Sequence, residues 1–318
     1  FATLATSEQE ERVIEDVLNA ARGSKHFKDG TYFDLSAMAE SDRQLLVERR
    51  LISPALAART GRDGVLVGPE ERYSIMINEE DHLRFQAIFA GFEPAAAWSL
   101  VDSIESEVCN RLDVAYDTQF GYLTACPTNV GTGLRASILI HLPGLVLVQS
   151  VEQVLRGINQ VGLTVRGFYG EGTDVVGSLF QISNQVTLGI SESEIIETLE
   201  RVVRQIIDYE YDARQTLVRD AHAQIEDKIG RAVGILSHAR VLSGQEFMNL
   251  ASAVRLGIGL GMLDRPETKL LNELMVQIQP SHIQRQVGSD LNTDQRDLHR
   301  ANLVRSRIVN GASKAADH

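Results

Sequence analysis

Apolar positions recur at two periods along this chain, and the change between them divides it. Val13, Ile14, Val17 and Leu18 fall at helical spacing behind Ser7-Glu8-Gln9-Glu10, a capping-box pattern, and predict an amphipathic helix over 8–22. A second helix is predicted over 39–49, around Leu45 and Leu46, and is ended by Leu51-Ile52-Ser53-Pro54. The runs then shorten. Gly64 to Gly68 and Tyr73 to Asn78 read as two strands joined by Pro69-Glu70-Glu71-Arg72 in a hairpin. Residues 94–113 read as a helix in which Cys109 packs, and 149–158 as another. Tyr122–Thr124, Leu134–Leu142, Leu163–Phe168 and 179–189 read as strands. Ser191-Glu192-Ser193-Glu194 is a second capping box. No proline or glycine follows until past Lys228, and Ile195, Ile196, Leu199, Val202, Val203, Ile206 and Ile207 form a helical stripe. One long helix is therefore expected, leaving a first domain whose boundary falls near residue 213. Beyond it no strand pattern recurs. Ser243-Gly244-Gln245-Glu246 caps a helix through Arg255, Pro266 opens one that reaches Gln279 and stops at Pro280, and Thr293 caps the last, before a frayed tail over 311–318. Strands follow one another without regularly alternating helices. The predicted class is α+β, an antiparallel sheet backed by helices over 1–213, followed by an all-helical domain over 214–318.

Composition narrows this little. At 318 residues and 43% hydrophobic content the chain can bury a real core in one large domain or two ordinary ones. No apolar run approaches the length of a membrane span, and no secretory signal is visible. Cys109 and Cys126 stand in unrelated contexts, which indicates neither a disulfide framework nor a zinc site, and a reducing cytoplasm fits. The formal charge of −12 excludes nucleic-acid binding through the overall field. It could attract a basic partner, such as an arginine-rich protein, although acidity that serves solubility alone is the commoner case.

Candidate chemistry concentrates in residues 121–144, GYLTACPTNVGTGLRASILIHLPG. Pro127 stops a strand because it has no N–H for a ladder. Gly131 and Gly133 flank Thr132 and let the backbone turn tightly and approach a ligand. The loop is not a Walker A loop, since no Lys-Ser or Lys-Thr follows, and not a Rossmann fingerprint, since a strand follows it. Arg135 would project from that strand, where an arginine can hold phosphate oxygens by two parallel hydrogen bonds. A strand with a surface arginine and an inert buried cysteine fits the same residues.

Three further stretches stand out. INEEDHLR (77–84) sets Glu79, Glu80 and Asp81 at a strand end, where like charges raise one another's pKa unless a cation sits among them. A solvated acidic turn or a metal-binding acid cluster would look the same. VRGFYGEG (165–172) holds three glycines, Arg166 and Glu171, and reads as a mobile loop or a hairpin tip. In the last helix Arg296 and Arg300 share a face, with Asp297 rotated off that row; they could read an anion beside a cation, or be a charged helix face.

Cys126-Pro127-Thr128-Asn129-x-Gly131-Thr132-Gly133-x-Arg135 resembles the signature of the phosphagen (guanidino) kinases, and the resemblance covers most of residues 40–210 in order. It implies transfer of the ATP γ-phosphoryl group to a guanidino nitrogen. Glu80 would grip the substrate guanidinium, with Glu79 the less favoured partner; Glu171 would be the second carboxylate, on a loop that closes over the reacting groups. Nucleotide contacts would come from Arg50, Arg84, Arg135, Ala136, Ser137, Ile138, Leu139, Arg166, Gly167, Phe168, Tyr169, Gly170 and Glu171, with Mg2+ bridging the phosphates. Arg50 stands where the family has a nucleotide-contacting histidine. The chemistry suits these types. A guanidinium stays protonated, with a pKa above about 12, so a nitrogen lone pair must be freed and aimed, and paired carboxylates can hold the group in plane and take a proton. Cys126 as a thiolate would be an electrostatic partner of the guanidinium and not a covalent nucleophile.

The layout, with VGLTVRGFYGEG, ISNQVTLG and the Arg-Asp-x-x-Arg-Ala motif, looks like the bacterial protein arginine kinases of McsB type. That resemblance implies a phosphoarginine-binding regulatory pocket at Arg296, Asp297, Arg300 and Ala301. It implies protein substrates marked for ClpC–ClpP, a CtsR-type repressor and an McsA-type activator as partners, and a homodimer. A kinase for a free guanidino metabolite and a non-catalytic phosphoarginine-binding module are the alternatives. The family begins with a Ser-x-Arg-x-Arg segment that binds ATP phosphates, and this sequence starts after it. Truncation is the expectation; one missing donor of that kind costs on the order of a hundredfold in rate.

Overall fold

The computed structural model describes residues 2–158, 161–167 and 175–313. They divide into two compact units, Phe1–Ile138 with Ser183–Glu200, and Leu139–Ile182 with Arg201–His318.

The first unit opens with α1 (Ser7–Arg22). Thr6, not Ser7, caps it: the Thr6 hydroxyl accepts the Gln9 N–H at 3.3 Å, and Gln9 reaches back to the Thr6 N–H at 2.9 Å. Then come β1 (Thr31–Asp34), α2 (Glu40–Glu48), α3 (Pro54–Ala58), β2 (Gly64–Val67), β3 (Tyr73–Ile77) and β4 (Leu83–Ala87). The four strands form an antiparallel sheet in that order, with Val65 opposite Phe33 and Met76, and Ile75 opposite Leu66 and Phe85. Leu66, Ile75 and Ile77 pack with Val17 and Ala21 of α1 and with Ile104 and Val108 of the next helix, α4 (Pro94–Cys109). Val65, Val67 and Met76 pack the other way, on Leu35, Leu46 and Leu56. Both faces of the central strands are therefore covered, which is why they read as unbroken apolar runs. A short hairpin, β5 (Tyr116–Asp117) with β6 (Gly121–Tyr122), follows; the strand read over 122–124 shrinks to this pairing.

Next along the chain are β7 (Ser137–His141), α5 (Pro143–Leu147), α6 (Val151–Ile158), β8 (Leu163–Gly167) and β9 (Leu179–Asn184), with sheet order β7-β9-β8. The Leu142 N–H donates to the Ser178 carbonyl and the Asn184 N–H to the Ala136 carbonyl, so β7 and β9 run antiparallel. Pro143-Gly144 does more than end a strand. It opens α5, whose first free N–H groups, at Gly144 and Leu145, donate at 2.9 Å to the buried Glu210 carboxylate, which also accepts from Arg214.

The rest is helical: α7 (Glu192–Asp220), α8 (His222–His238), α9 (Gly244–Gly259), α10 (Thr268–Gln277), α11 (Pro280–Val287) and α12 (Thr293–Ser313). The Ser191 box caps α7 as read. The single long helix does not persist past Ala221, whose φ of −140 leaves the helical region. Neither proline nor glycine causes the break; Leu217, Ile225 and Ile229 turn to pack with Leu256 of α9, so tertiary burial outweighs local propensity. Pro280 both stops one helix and starts α11, and α12 is capped by Asn292 with Gln295. Phe247, Leu271, Leu274, Ala301 and Val304 lie in one apolar cluster of this unit. No helix among the described residues is long and apolar enough to cross a membrane.

Candidate active site

The turn between β3 and β4 carries the acid run. Asn78 takes a left-handed backbone, φ 61, and its N–H donates to the His82 carbonyl at 2.9 Å, closing residues 78–82. Its Nδ2 donates to the carbonyls of Glu10 and Arg62, at 3.0 and 2.9 Å, and its Oδ1 faces His82 Nδ1 at 3.0 Å. Burial holds the His82 imidazole below its ordinary pKa, so a neutral ring donates to that oxygen.

Within this turn the two glutamates part. Glu79 is buried; its carboxylate accepts from Arg84 Nη1 at 3.3 Å and its carbonyl from Arg59 Nη1 at 3.0 Å. Glu80, by contrast, is exposed. Asp81 Oδ1 accepts the Ala125 N–H at 2.6 Å and ties the turn to the loop that carries Cys126. Cations do sit among these acids, Arg84 in front and Arg59 behind.

Behind the turn lies a charged cluster that the linear sequence hides. Arg59 Nη2 donates to Glu10 Oε1 at 2.6 Å, the Arg62 N–H to Glu10 Oε2 at 2.9 Å, and Arg43 Nη1 to the Arg59 carbonyl at 2.8 Å. Asp63 is 1% exposed, its Oδ2 stands 3.7 Å from Arg59 Nε, and neither of its carboxylate oxygens has a hydrogen-bond partner among the described residues. Burial raises its pKa to about 6; Arg59 and Arg43 pull it down, Glu10 and Asp34 push it up.

Tyr122 and Gly131 exchange two backbone hydrogen bonds, at 2.8 and 3.2 Å, and so close the base of the Cys126 loop. Cys126 is half-buried, with Sγ 2.9 Å from Thr128 Oγ1. Gly131 has φ 112, and a Cβ there would stand 2.2 Å from the Thr187 carbonyl oxygen, so only glycine fits. The Thr187 hydroxyl in turn faces the carbonyls of Thr128 and Val130, at 2.9 and 2.8 Å. Past the loop, Arg135, Ser137 and Leu139 are exposed while Ala136, Ile138 and Ile140 are half-buried, the alternation of a strand with one open face. The regular ladder begins only at Ser137, so Arg135 precedes the strand on which the sequence placed it.

Of the remaining nucleotide candidates, Arg50 is exposed with φ 63, and its carbonyl accepts from Gln86 Nε2 at 2.8 Å. Arg166 is exposed near the end of β8, followed by the half-buried Gly167. Phe168, Tyr169, Gly170 and Glu171 lie outside the described residues. Cys109, read as a packing residue, is half-buried, and burial pushes its thiol up. Asn78, Arg59, Asn184 and Thr187 were missed by the sequence reading, which named Asp81 only as a member of the acid run. An asparagine opening the acid run was the one visible hint, since asparagine tolerates left-handed backbone.

On α12, Arg296 is half-buried; it donates from Nη1 to the Leu291 carbonyl at 2.7 Å and from Nη2 to Thr293 Oγ1 at 3.1 Å. Arg300 is buried and donates to the carbonyls of Ile278 and Leu242, 3.0 Å each, and to Asp297 Oδ1. Ala301 is core.

Residues 11–213 match the family of the ATP:guanido phosphotransferase C-terminal catalytic domain, and residues 222–318 match the protein-arginine kinase McsB C-terminal domain. Fold and family together define a phosphotransferase that acts on a guanidino group. A protein-arginine kinase of Halalkalibacterium halodurans is 45% identical, over 97% of this chain and 87% of its own. One from Caldanaerobacter subterraneus subsp. tengcongensis is 46% identical, over 97% and 92%. Among solved structures, lombricine kinase is 27% identical with a TM-score of 0.58, over 68% of this chain and 62% of its own. The chain belongs to the protein-arginine kinase family.

Proposed function

We propose that this protein transfers the γ-phosphoryl group of ATP to arginine side chains of proteins. The observation that carries the reading is the bond from the Ala125 N–H to Asp81, which couples the turn presenting Glu80 to the loop holding Cys126. The acceptor guanidinium would lie against Glu80, in plane, with the Cys126 sulfur adding negative charge. As a guanidino nitrogen forms its bond to phosphorus, the bond from phosphorus to the ADP oxygen breaks, and the guanidinium proton passes to Glu80. Arg84, Arg135 and Arg166 are exposed cations able to take the triphosphate. Mg2+ would be held by phosphate oxygens and would neutralise charge on the transferring group. Ala136 to Leu139 would line the nucleotide along the open strand face, and Glu171 would supply the second carboxylate.

Residues 1–213 would then be catalytic and 214–318 regulatory. Arg296 and Asp297 would meet the phosphoryl and guanidino ends of phosphoarginine, while Arg300 and Ala301 build the floor. Marking of substrates for ClpC–ClpP, partnership with McsA-type and CtsR-type proteins, a homodimer and a cytoplasmic setting belong to the same reading, which rests on the resemblance to McsB. The test is acid-sparing mass spectrometry of an arginine-rich protein after incubation with Mg-ATP, using the protein and its Glu80→Ala variant. Phosphoarginine from the first and none from the folded second is the expected result. Transfer to free arginine alone would instead make it a metabolite kinase, and an active Glu80→Ala variant would remove Glu80 from the mechanism.

A further inference from the structure

Residues 133–136, which include Arg135, lie outside any strand ladder, yet their peptide groups are not left to water. Two side chains serve them: Thr132 Oγ1 accepts the Leu134 N–H at 3.2 Å, and one other side chain holds both sides of Arg135. Asn184, at the end of β9, is buried, and its Oδ1 accepts the Ala136 N–H at 2.8 Å while its Nδ2 donates to the Leu134 carbonyl at 2.9 Å. These two groups flank Arg135 on either side. The Asn184 backbone N–H adds a third bond, to the Ala136 carbonyl at 3.2 Å. The second Nδ2 hydrogen goes to the Val186 carbonyl at 3.1 Å. With both amide hydrogens on carbonyls and the oxygen on an N–H, the amide has one possible orientation; the flipped form would oppose like groups at all three partners. The side chain thus acts as a strand partner where the strand is missing. Thr187 extends the hold three residues on, at Thr128, Val130 and Thr132.

We infer that Asn184 is a positioning residue for nucleotide binding: its amide bonds to Leu134 and Ala136 fix the backbone of Arg135 and so aim the guanidinium at the ATP phosphates. The inference rests on the reading of Arg135 as a phosphate ligand. A purely structural asparagine would weaken the fold and leave ATP affinity alone once the protein is folded. A positioning asparagine acts through Arg135, and its effect disappears when Arg135 is gone.

The experiment is a double-mutant cycle on ATP binding, with Arg135→Ala, Asn184→Ala and the pair, in titrations of ATP with Mg2+ and no acceptor. The thermal midpoint of each variant is followed alongside. Arg135→Ala should raise the ATP Kd about tenfold or more, the loss of a charge-assisted contact. Asn184→Ala should raise it by a comparable factor, and the pair should bind within about twofold of Arg135→Ala alone. Asn184→Ser puts a short neutral hydroxyl there and loses the paired hold on Leu134 and Ala136, so it should raise the Kd by a similar factor; it replaces Asn184→Ala if that variant does not fold. Effects that multiply, or an unchanged Kd in the folded Asn184 variants, would overturn the inference. An unchanged Kd in Arg135→Ala would overturn the phosphate-ligand reading itself, and the inference with it.

Discussion

Replacing Asp63 by asparagine should make the protein more stable at neutral and alkaline pH. Asp63 is 1% exposed, lacks a hydrogen-bond partner for either oxygen among the described residues, and stands 3.7 Å from its ion-pair partner, Arg59 Nε. Its pKa is raised from 3.8 to about 6, chiefly by burial. A shift of that size corresponds to ~3 kcal/mol of strain on the charged form. The unfolded chain releases this proton near the ordinary carboxylate value and the folded chain holds it until about pH 6. Between these values the folded state binds more protons, so this group's cost appears as pH rises through that window and is absent below it. The substituted amide is neutral at every pH and carries no such cost. Urea unfolding, followed by the fluorescence of the single tryptophan, Trp98 on α4 of the same unit, gives the difference between Asp63→Asn and the parent. The variant should be more stable by about 2–3 kcal/mol near pH 8, with the gain shrinking toward zero near pH 4. A variant that is less stable at alkaline pH, by an amount that does not change with pH, would show that Arg59 and Arg43 stabilise the carboxylate, and would refute the reasoning.

Two further outcomes follow from the second unit. Arg300→Ala should lower its stability by several kcal/mol, since two carbonyls and the Asp297 carboxylate lose a charged donor, whereas Arg296→Ala should change stability by less than about 1 kcal/mol and abolish phosphoarginine binding; calorimetry with the free amino acid separates the two. His141, on β7, has its pKa lowered to about 3 by burial, with Arg255 and Arg214 adding to the effect, and its Nε2 lies 2.8 Å from Ser252 Oγ. The unfolded chain takes up this proton at a higher pH, so stability falls as pH drops below about 6.5, and His141→Gln should flatten that part of the acid denaturation curve.

Much of the molecule was legible in the sequence. The Cys126–Arg135 signature, the acid run and the Ser191 cap are local patterns, and local patterns survive in a linear string. The capping residue of α1 slipped by one because Thr6 and Ser7 are both good caps and Gln9 serves the former. Strands β1 and β4 escaped notice, since TYFD and LRFQA are short and show no clean alternation. The bend at Ala221 has no signal in its own neighbourhood, because its cause is Leu256, far along the chain. The supports of the site were hidden for the same reason. Glu10 reaches Arg59 across 49 residues, and Asp81 reaches Ala125 across 44, with no periodicity joining them.

The hold of Asn184 and Thr187 on the Cys126–Arg135 loop also sets an order of events in synthesis. Their bonds span 48 to 59 residues, and the first unit resumes at Ser183 only after the chain has made Leu139–Ile182 for the other. While the ribosome is still adding that intervening segment, the carbonyls of Thr128, Val130 and Leu134 have no partner to shape them. The nascent chain therefore carries its signature loop closed only at its base, by Tyr122 with Gly131, until residue 187 has emerged, and the site is completed late, by closure of a long loop. A cell that interrupts translation in this interval releases a fragment with the family signature in its sequence and without the shape that the signature takes in the finished fold.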